Sequence, residues 1–120
     1  MKIGDIKGKA KSLHNMGAIY QDKGDYDAAL TQYQQSLEIA EKIGDIAGIA
    51  ESMGQMGALY LVQNQCETAL KLLFQSFAIF TQIGSPNANL VKNNIAICRE
   101  KMTEEQFKAI LNEIGMMNDE

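Results

Sequence analysis

Apolar residues recur at three- and four-residue intervals along most of this chain, which is the spacing of amphipathic α-helices. A first helix is predicted to be capped by Asp5 and to run to about Gln21. Gly24 suits a left-handed turn after that helix, and Asp25 is the predicted cap of a second helix. The inward positions of the two helices are Ile6, Ala10, Leu13, Met16, Gly17, Tyr20, Tyr26, Ala29, Leu30, Tyr33 and Leu37.

The same arrangement returns 40 residues later, because residues 3–42 and 43–82 are identical at 16 of 40 positions. Gly44 is predicted to end the second helix and Asp45 to cap the third. A fourth helix is predicted from about Cys66 to Gln82. A period of this size is typical of stacked helical units that complete their cores against one another. The sequence thus predicts one domain over residues 1–120, with repeat 1 at residues 3–42 and repeat 2 at residues 43–82.

A third, degenerate unit is predicted over residues 83–115 as a C-terminal cap. Ser85 and Pro86 suit the start of a fifth helix, and Thr103 with Gln106 forms the capping-box pattern of a sixth. The apolar positions of these two helices are Leu90, Val91, Ile95, Cys98, Phe107, Ile110, Leu111 and Ile114. Gly115 is expected to end the ordered part, leaving residues 116–120 as a frayed tail.

Composition and charge restrict the functional classes. The chain has 120 residues and a net charge of −4, so it lacks the basic field that nucleic-acid binding requires. No apolar run approaches the roughly 20 residues that cross a bilayer, and charged residues near the N-terminus interrupt any secretory signal. These features predict a cytoplasmic protein with neither a nucleic-acid nor a membrane partner.

The chain shows no catalytic, metal or cofactor motif. Cys66 and Cys98 fall at apolar helical positions without metal-ligand spacing, which favours buried reduced thiols. His14 is the only histidine, and no nucleophile or carboxylate is marked as its partner. We therefore expect a protein that is not an enzyme.

The residues at the hairpin crossings resemble the tetratricopeptide repeat. Its pattern of a large residue, Leu-Gly, Tyr and then Ala is matched in spacing in both units. The matching residues are Leu13, Met16, Gly17, Tyr20 and Ala29, and again Met53, Met56, Gly57, Tyr60 and Ala69. The pairing of Gly with Ala is interpreted as the cause of a close helix crossing.

The period of 40 and the Gly-Asp before each first helix resemble the subgroup found in kinesin light chains, cell-polarity adaptors and bacterial peptide-sensing regulators. The family's Trp and closing Pro are absent. The resemblance implies an all-α superhelical stack of six antiparallel helices and a non-enzymatic function in protein–protein interaction.

The resemblance also implies a concave groove, lined by the first helix of each unit, that binds a peptide or a segment of a partner protein. The predicted groove residues are Lys11, His14, Asn15, Gln55, Leu61, Val62, Lys92, Asn93 and Arg99. The same helical phases place further residues beside them, namely Ala18, Gln21, Asp22, Glu51, Gly54, Ala58, Asn89, Ala96 and Glu100. Asn15, Gln55 and Asn93 form an amide ladder able to hydrogen-bond a peptide backbone. The alternatives are a merely solvated polar face, or a carboxylate clamp built from Lys11 and Asn15.

The predicted fourth helix is apolar on more than one side. Leu72 and Phe74 replace Gln32 and Gln34 of the first repeat, and Phe80 replaces an alanine. An exposed patch of this kind favours homo-oligomerisation, which is the alternative function. The third unit could instead fold back and cover these side chains.

Overall fold

The computed structural model describes residues 2–115, and the predicted frayed tail at 116–120 lies outside this range. The described residues form six α-helices and no strand. The helices are α1 (Ile3–Asp22), α2 (Tyr26–Ile43), α3 (Ile46–Val62), α4 (Cys66–Gln82), α5 (Asn87–Glu100) and α6 (Glu104–Glu113). The predicted all-α fold is confirmed, and the predicted bounds of the fourth helix match those of α4.

The helices stack in chain order into an elongated body of 49 × 31 × 22 Å. α1 packs against α2 and α3 against α4, while α2 contacts α3 and α4 contacts α5 across the boundaries between units. α3 also touches α5, so the first helices of the second and third units are neighbours. α6 packs lightly against α4. None of the helices in residues 2–115 has the length and apolarity needed to cross a bilayer.

Helix caps fix the boundaries of the repeats. Asp25 Oδ1 accepts a 3.3 Å hydrogen bond from the backbone N–H of Ala28, and Asp45 Oδ1 accepts one of 3.1 Å from Gly48. Gly44, just before Asp45, has the left-handed φ of +71° that ends α2. The predicted cap at Asp5 is wrong. No such turn precedes it, so α1 begins earlier at Ile3 and Asp5 lies within the first helical turn.

The two helices of the third unit, α5 and α6, are capped at their starts as the local sequence indicates. Ser85 Oγ accepts a 3.2 Å hydrogen bond from the backbone N–H of Asn87 at the start of α5. Thr103 and Gln106 form a complete capping box at the start of α6, with reciprocal hydrogen bonds of 3.1 and 2.9 Å. Both features depend on residues three or fewer positions apart, which is why the sequence predicts them directly.

Each hairpin crosses at a glycine. A β-carbon built on Gly17 would lie 2.7 Å from Cε1 of Tyr33, and one on Gly57 would lie 2.8 Å from Cδ2 of Leu73. The prediction that each glycine faces an alanine is therefore corrected. The side chain closest to the glycine is that of Tyr33 or Leu73, four positions after the alanine. Ala69 contributes only its carbonyl oxygen, 3.3 Å from the β-carbon position of Gly57.

A buried serine ties the two helices of each repeat together. Ser36 Oγ donates a 2.9 Å hydrogen bond to the carbonyl oxygen of Ala10, and Ser76 Oγ donates one of 2.7 Å to that of Ala50. Both serines are buried, so each hydroxyl is satisfied inside the core. The identical bonds, one period apart, reproduce the sequence repeat as a structural repeat.

The core consists of two clusters that meet across α3. The first joins α2 to α3 and contains Ala29, Tyr33, Leu37, Met56 and Leu59. The second joins α3 to the C-terminal helices and contains Ala50, Leu61, Ala69, Leu70, Leu73, Phe80, Val91, Cys98, Phe107 and Ile110. Two predicted inward residues instead point outward, since Met16 and Leu90 are 43% and 65% exposed.

The extra apolar residues of α4 pack inside the chain. Phe80 is buried in the second cluster, and Phe74 packs against Phe107 of α6 with ring centroids 6.2 Å apart. Leu72 is half-buried and packs against the first cluster. The predicted oligomerisation patch is therefore corrected, because these three residues do not form one exposed surface.

Candidate functional site

An open groove of about 560 Å³ runs across α1, α3 and α5 on one side of the stack. We call it the α1–α3–α5 groove. The first helix of every unit contributes to it, and α4 supplies part of the floor. Its lining residues are His14, Glu51, Gly54, Gln55, Ala58, Phe80, Asn87, Leu90, Val91, Asn93 and Asn94.

A small residue on α3 forms the floor of the groove. A β-carbon built on Gly54 would lie 3.0 Å from Ser76 Oγ and 3.7 Å from Cγ2 of Val91. α4 and α5 therefore approach α3 closely at this point. Because Gly54 and Ala58 have almost no side chain, the space above them remains open between α1 and α5.

His14 occupies one wall of the groove, on α1. Its ring packs edge-on against Tyr33, with centroids 5.1 Å apart and planes at 63°. The Tyr33 hydroxyl donates a 3.0 Å hydrogen bond to Gln21 Oε1, which holds the tyrosine ring in place. Burial lowers the pKa of His14 below its ordinary value of 6.5, and the Glu51 carboxylate opposes part of this shift. At pH 7 His14 is therefore a neutral side chain with one donor and one acceptor.

Amide side chains line the remaining walls. Gln55 comes from α3, and Asn87, Asn93 and Asn94 come from α5. Each amide offers two N–H donors and a carbonyl acceptor, the groups that pair with the backbone of a bound chain. Leu90 lies among these amides, so a ligand would meet polar and apolar surface together.

The structure brings only part of the predicted groove set together. Among the predicted groove residues, His14, Gln55 and Asn93 line it, together with Glu51, Gly54 and Ala58 from the same helical phases. The other residues of those phases are not among its lining residues, namely Ala18, Gln21, Asp22, Asn89, Ala96 and Glu100. The exposed residues Lys11, Asn15, Val62 and Lys92 are not among its lining residues.

Two other predicted groove residues contact the rest of the chain. Leu61 is buried in the second core cluster, where α3 meets the C-terminal helices. Arg99 packs 4.9 Å above the ring of Phe107, and its Nη2 lies 2.9 Å from Glu104 Oε1. The Arg99 side chain therefore contacts α6 rather than the groove. The prediction that Leu61 faces the groove is wrong, because Leu61 is buried.

Sequence reasoning missed most of the α5 contribution. Leu90 was predicted to be inward because it is apolar, but Val91 and Cys98 take the buried positions of α5 and leave Leu90 in the groove. Asn87 and Asn94 were also missed. The sequence does indicate this polar surface, because residues 87–94 (NANLVKNN) contain four asparagines around Leu90.

A second cavity of about 520 Å³ lies between α6 and the start of α4. Lys101 Nζ donates a 2.9 Å hydrogen bond to Asn64 Oδ1 at its edge, and Cys66 lines it. Cys98 is buried nearby, and burial raises the pKa of its thiol to about 11. Within residues 2–115, no three His, Cys, Asp or Glu side chains gather as a metal site would require.

Comparison with known protein families gives a match. A family model described as "Tetratricopeptide repeat" matches residues 8–82, which is more than half of the chain. No curated protein and no solved structure matches this sequence. The matched residues include α2, α3, α4 and most of α1.

Proposed function

Because this chain belongs to the tetratricopeptide repeat family, whose repeats generally mediate protein–protein interactions, we propose that it holds an extended segment of a partner protein in the α1–α3–α5 groove. The observation that carries the proposal is the composition of the groove. Amides from two adjacent helices surround an apolar side chain in a space large enough for several residues of peptide.

The amides supply binding that does not depend on the ligand's sequence. Gln55 on α3 and Asn93 on α5 can each pair with a peptide unit, because an amide presents a donor and an acceptor side by side. A peptide backbone bound in this way is satisfied without fixing the identity of its side chains. Sequence preference then comes from the other lining residues.

Leu90 and the Glu51 carboxylate supply that preference. Leu90 is 65% exposed, so covering it removes apolar surface from water and favours a ligand with an apolar side chain at this point. Glu51 is the only charged residue among the described lining residues, because His14 is neutral at pH 7. A ligand carboxylate near Glu51 would be repelled, so we expect neutral or basic residues there.

The same charges argue against a carboxylate clamp. Lys11 and Lys92 are not among the lining residues, and Arg99 is paired with Glu104. A clamp depends on charge-assisted hydrogen bonds from cations to the ligand carboxylate. The groove is thus better suited to an internal peptide segment than to a free C-terminus, and it acts by binding rather than by catalysis.

The experiment is selection of linear peptides from a random library on the purified protein, followed by fluorescence anisotropy with the selected peptides. The double variant Gln55→Ala/Asn93→Ala should weaken binding roughly 5- to 150-fold, the loss expected for removing two hydrogen-bonding groups. Gln35→Ala/Asn112→Ala removes the same two residue types from exposed sites outside the groove and should change nothing. Equal affinities for the two double variants would place the ligand elsewhere.

A further inference from the structure

The two cysteines of this chain meet where the start of α4 packs against the end of α5. Cys66 is the first residue of α4 and is half-buried, whereas Cys98 lies in the last turn of α5 and is fully buried. Cys66 packs against the second core cluster, of which Cys98 is a member. A hydrogen bond joins the two thiols, so their sulfur atoms are neighbours.

Hydrogen bonds on either side of the two thiols hold the ends of these helices together. Asn64, in the turn before α4, has a left-handed φ of +61° at the position that Gly24 takes one repeat earlier. Unlike glycine it has a side chain, and its Oδ1 accepts the 2.9 Å hydrogen bond from Lys101 Nζ. The backbone N–H of Lys101 donates a 3.1 Å hydrogen bond to the carbonyl oxygen of Cys98. The turn before Cys66 is therefore tied to the turn after Cys98.

The cavity between α6 and the start of α4 gives a small molecule access to Cys66. Its described lining residues include Cys66, Lys101 and Met102 but not Cys98. Burial, together with the neighbouring Cys66, raises the pKa of the Cys98 thiol to about 11. Because the thiolate is the reactive form of cysteine, a reagent in the cavity reacts with Cys66 first. Cys98 then meets only the product formed at Cys66.

We propose that Cys66 and Cys98 are a redox-active pair, which a low-molecular-weight disulfide converts into an intramolecular disulfide. First, the Cys66 thiolate attacks one sulfur of the reagent, which forms a mixed disulfide at Cys66 and releases one thiolate. Next, the Cys98 thiol loses its proton and its sulfur attacks Cys66 Sγ, which releases the second thiolate. The protons lost by the two cysteines end on the two released thiols. The protein is thus oxidised by two electrons, and the reagent is reduced to two thiols.

The new bond would join the third unit to the second. The helical fold does not itself require a thiol at the start of α4, because Tyr26 takes the position of Cys66 one repeat earlier. A link between Cys66 and Cys98 restricts the unfolded chain and stabilises the folded one. It also fixes α5 on α4, although the reaction does not depend on what the α1–α3–α5 groove binds.

The test incubates the purified full chain at low concentration in mixtures of reduced and oxidised glutathione. Free thiols are then blocked with iodoacetamide, and intact mass and proteolytic peptides are measured. The folded protein should lose two hydrogen atoms and yield a linked peptide pair containing Cys66 and Cys98, and dithiothreitol should reverse both changes. The equilibrium constant for forming this bond should be at least about tenfold larger in the folded chain than in urea, or about 30 mV in reduction potential. The melting temperature should rise by at least about 5 °C.

Two variants separate the steps. Cys98→Ala should stop after the first step and keep glutathione on Cys66, whereas Cys66→Ala should leave Cys98 unmodified in the folded protein. Circular dichroism checks that each variant folds, and the mass of the parent chain decides the matter if either does not. A parent chain that does not react, that keeps a glutathione adduct without the internal bond, or that forms a disulfide between two copies would overturn the proposal.

Discussion

Gly17 on α1 and Tyr33 on α2 are in such close contact that a β-carbon on the glycine would lie 2.7 Å from the tyrosine ring. The ring cannot easily retreat, because Tyr33 is fully buried and its hydroxyl is bonded to Gln21. The hairpin thus depends on the missing side chain at this position. The same requirement holds at Gly57 against Leu73.

Gly17→Ala should therefore destabilise the protein by about 1 to 3 kcal/mol through overpacking. Urea unfolding of the variant and the parent measures the difference. Gly8→Ala is the matched control on the same helix, since no atom lies within 4 Å of the β-carbon position and the residue is exposed. That control should gain about 0.5 to 1 kcal/mol, because alanine is the better helix former. Similar effects of the two substitutions would contradict the close crossing.

Acidification should destabilise the protein through His14. Its pKa is lowered in the folded state, so the unfolded state binds the proton more readily. The contribution of neutral His14 to the free energy of unfolding is then fully present above the unfolded pKa near 6.5. It is lost as the pH drops from there towards the lower folded pKa. His14 is the only histidine, so His14→Gln should flatten the pH dependence of the melting temperature between pH 7.5 and 5. An unchanged slope in the variant would rule out this role.

Leu90→Ser should weaken peptide binding without lowering stability. The side chain is 65% exposed before binding, so the folded protein loses little when it is removed. The bound state loses apolar burial of about 1 to 2 kcal/mol, or roughly 5- to 30-fold in affinity. Ile83→Ser is the control, because Ile83 is exposed at the end of α4 and does not line the groove. A loss of affinity in the control would point to a different binding surface.

The two thiols should react at very different rates with iodoacetamide. Cys66 is half-buried and lines the cavity under α6, whereas Cys98 is buried and its pKa is raised to about 11. Because the thiolate is the reactive form, native protein should be alkylated at Cys66 first, and Cys98 should react at a comparable rate only after unfolding. Peptide mass spectrometry over time gives both rates, and equal native rates would contradict the burial.

The local features were predictable because they depend on neighbouring residues. Asp25 and Asp45 cap helices within three residues of themselves, and the Thr103 capping box needs no tertiary contact. Helical phase predicts that Met16 on α1 and Leu90 on α5 are buried, but both side chains are exposed. Burial at these positions depends on which helix lies alongside. The sequence of a helix at the end of a stack does not show whether a neighbouring helix covers its apolar residues.

The candidate groove was predictable in outline for the same reason. The resemblance to the tetratricopeptide repeat indicated which helices line it, and His14, Gln55 and Asn93 followed from helical phase. Arg99 could not be assigned in this way, because its position over Phe107 depends on how α6 folds back. The degenerate third unit offered no repeat by which to place that helix.

Because α6 packs lightly against α4, above a pocket of about 520 Å³, we expect α6 to open before the rest of the protein. Each unit of a helical stack is stabilised mainly by contacts with its neighbours. A weakly attached terminal unit therefore unfolds by itself with a smaller free-energy change than the whole chain. Its backbone amides should exchange with deuterium first, while those of α2 and α3 exchange last. Opening of α6 would also release Arg99 from Phe107 and Glu104, adding a free cation at the α5 end of the molecule.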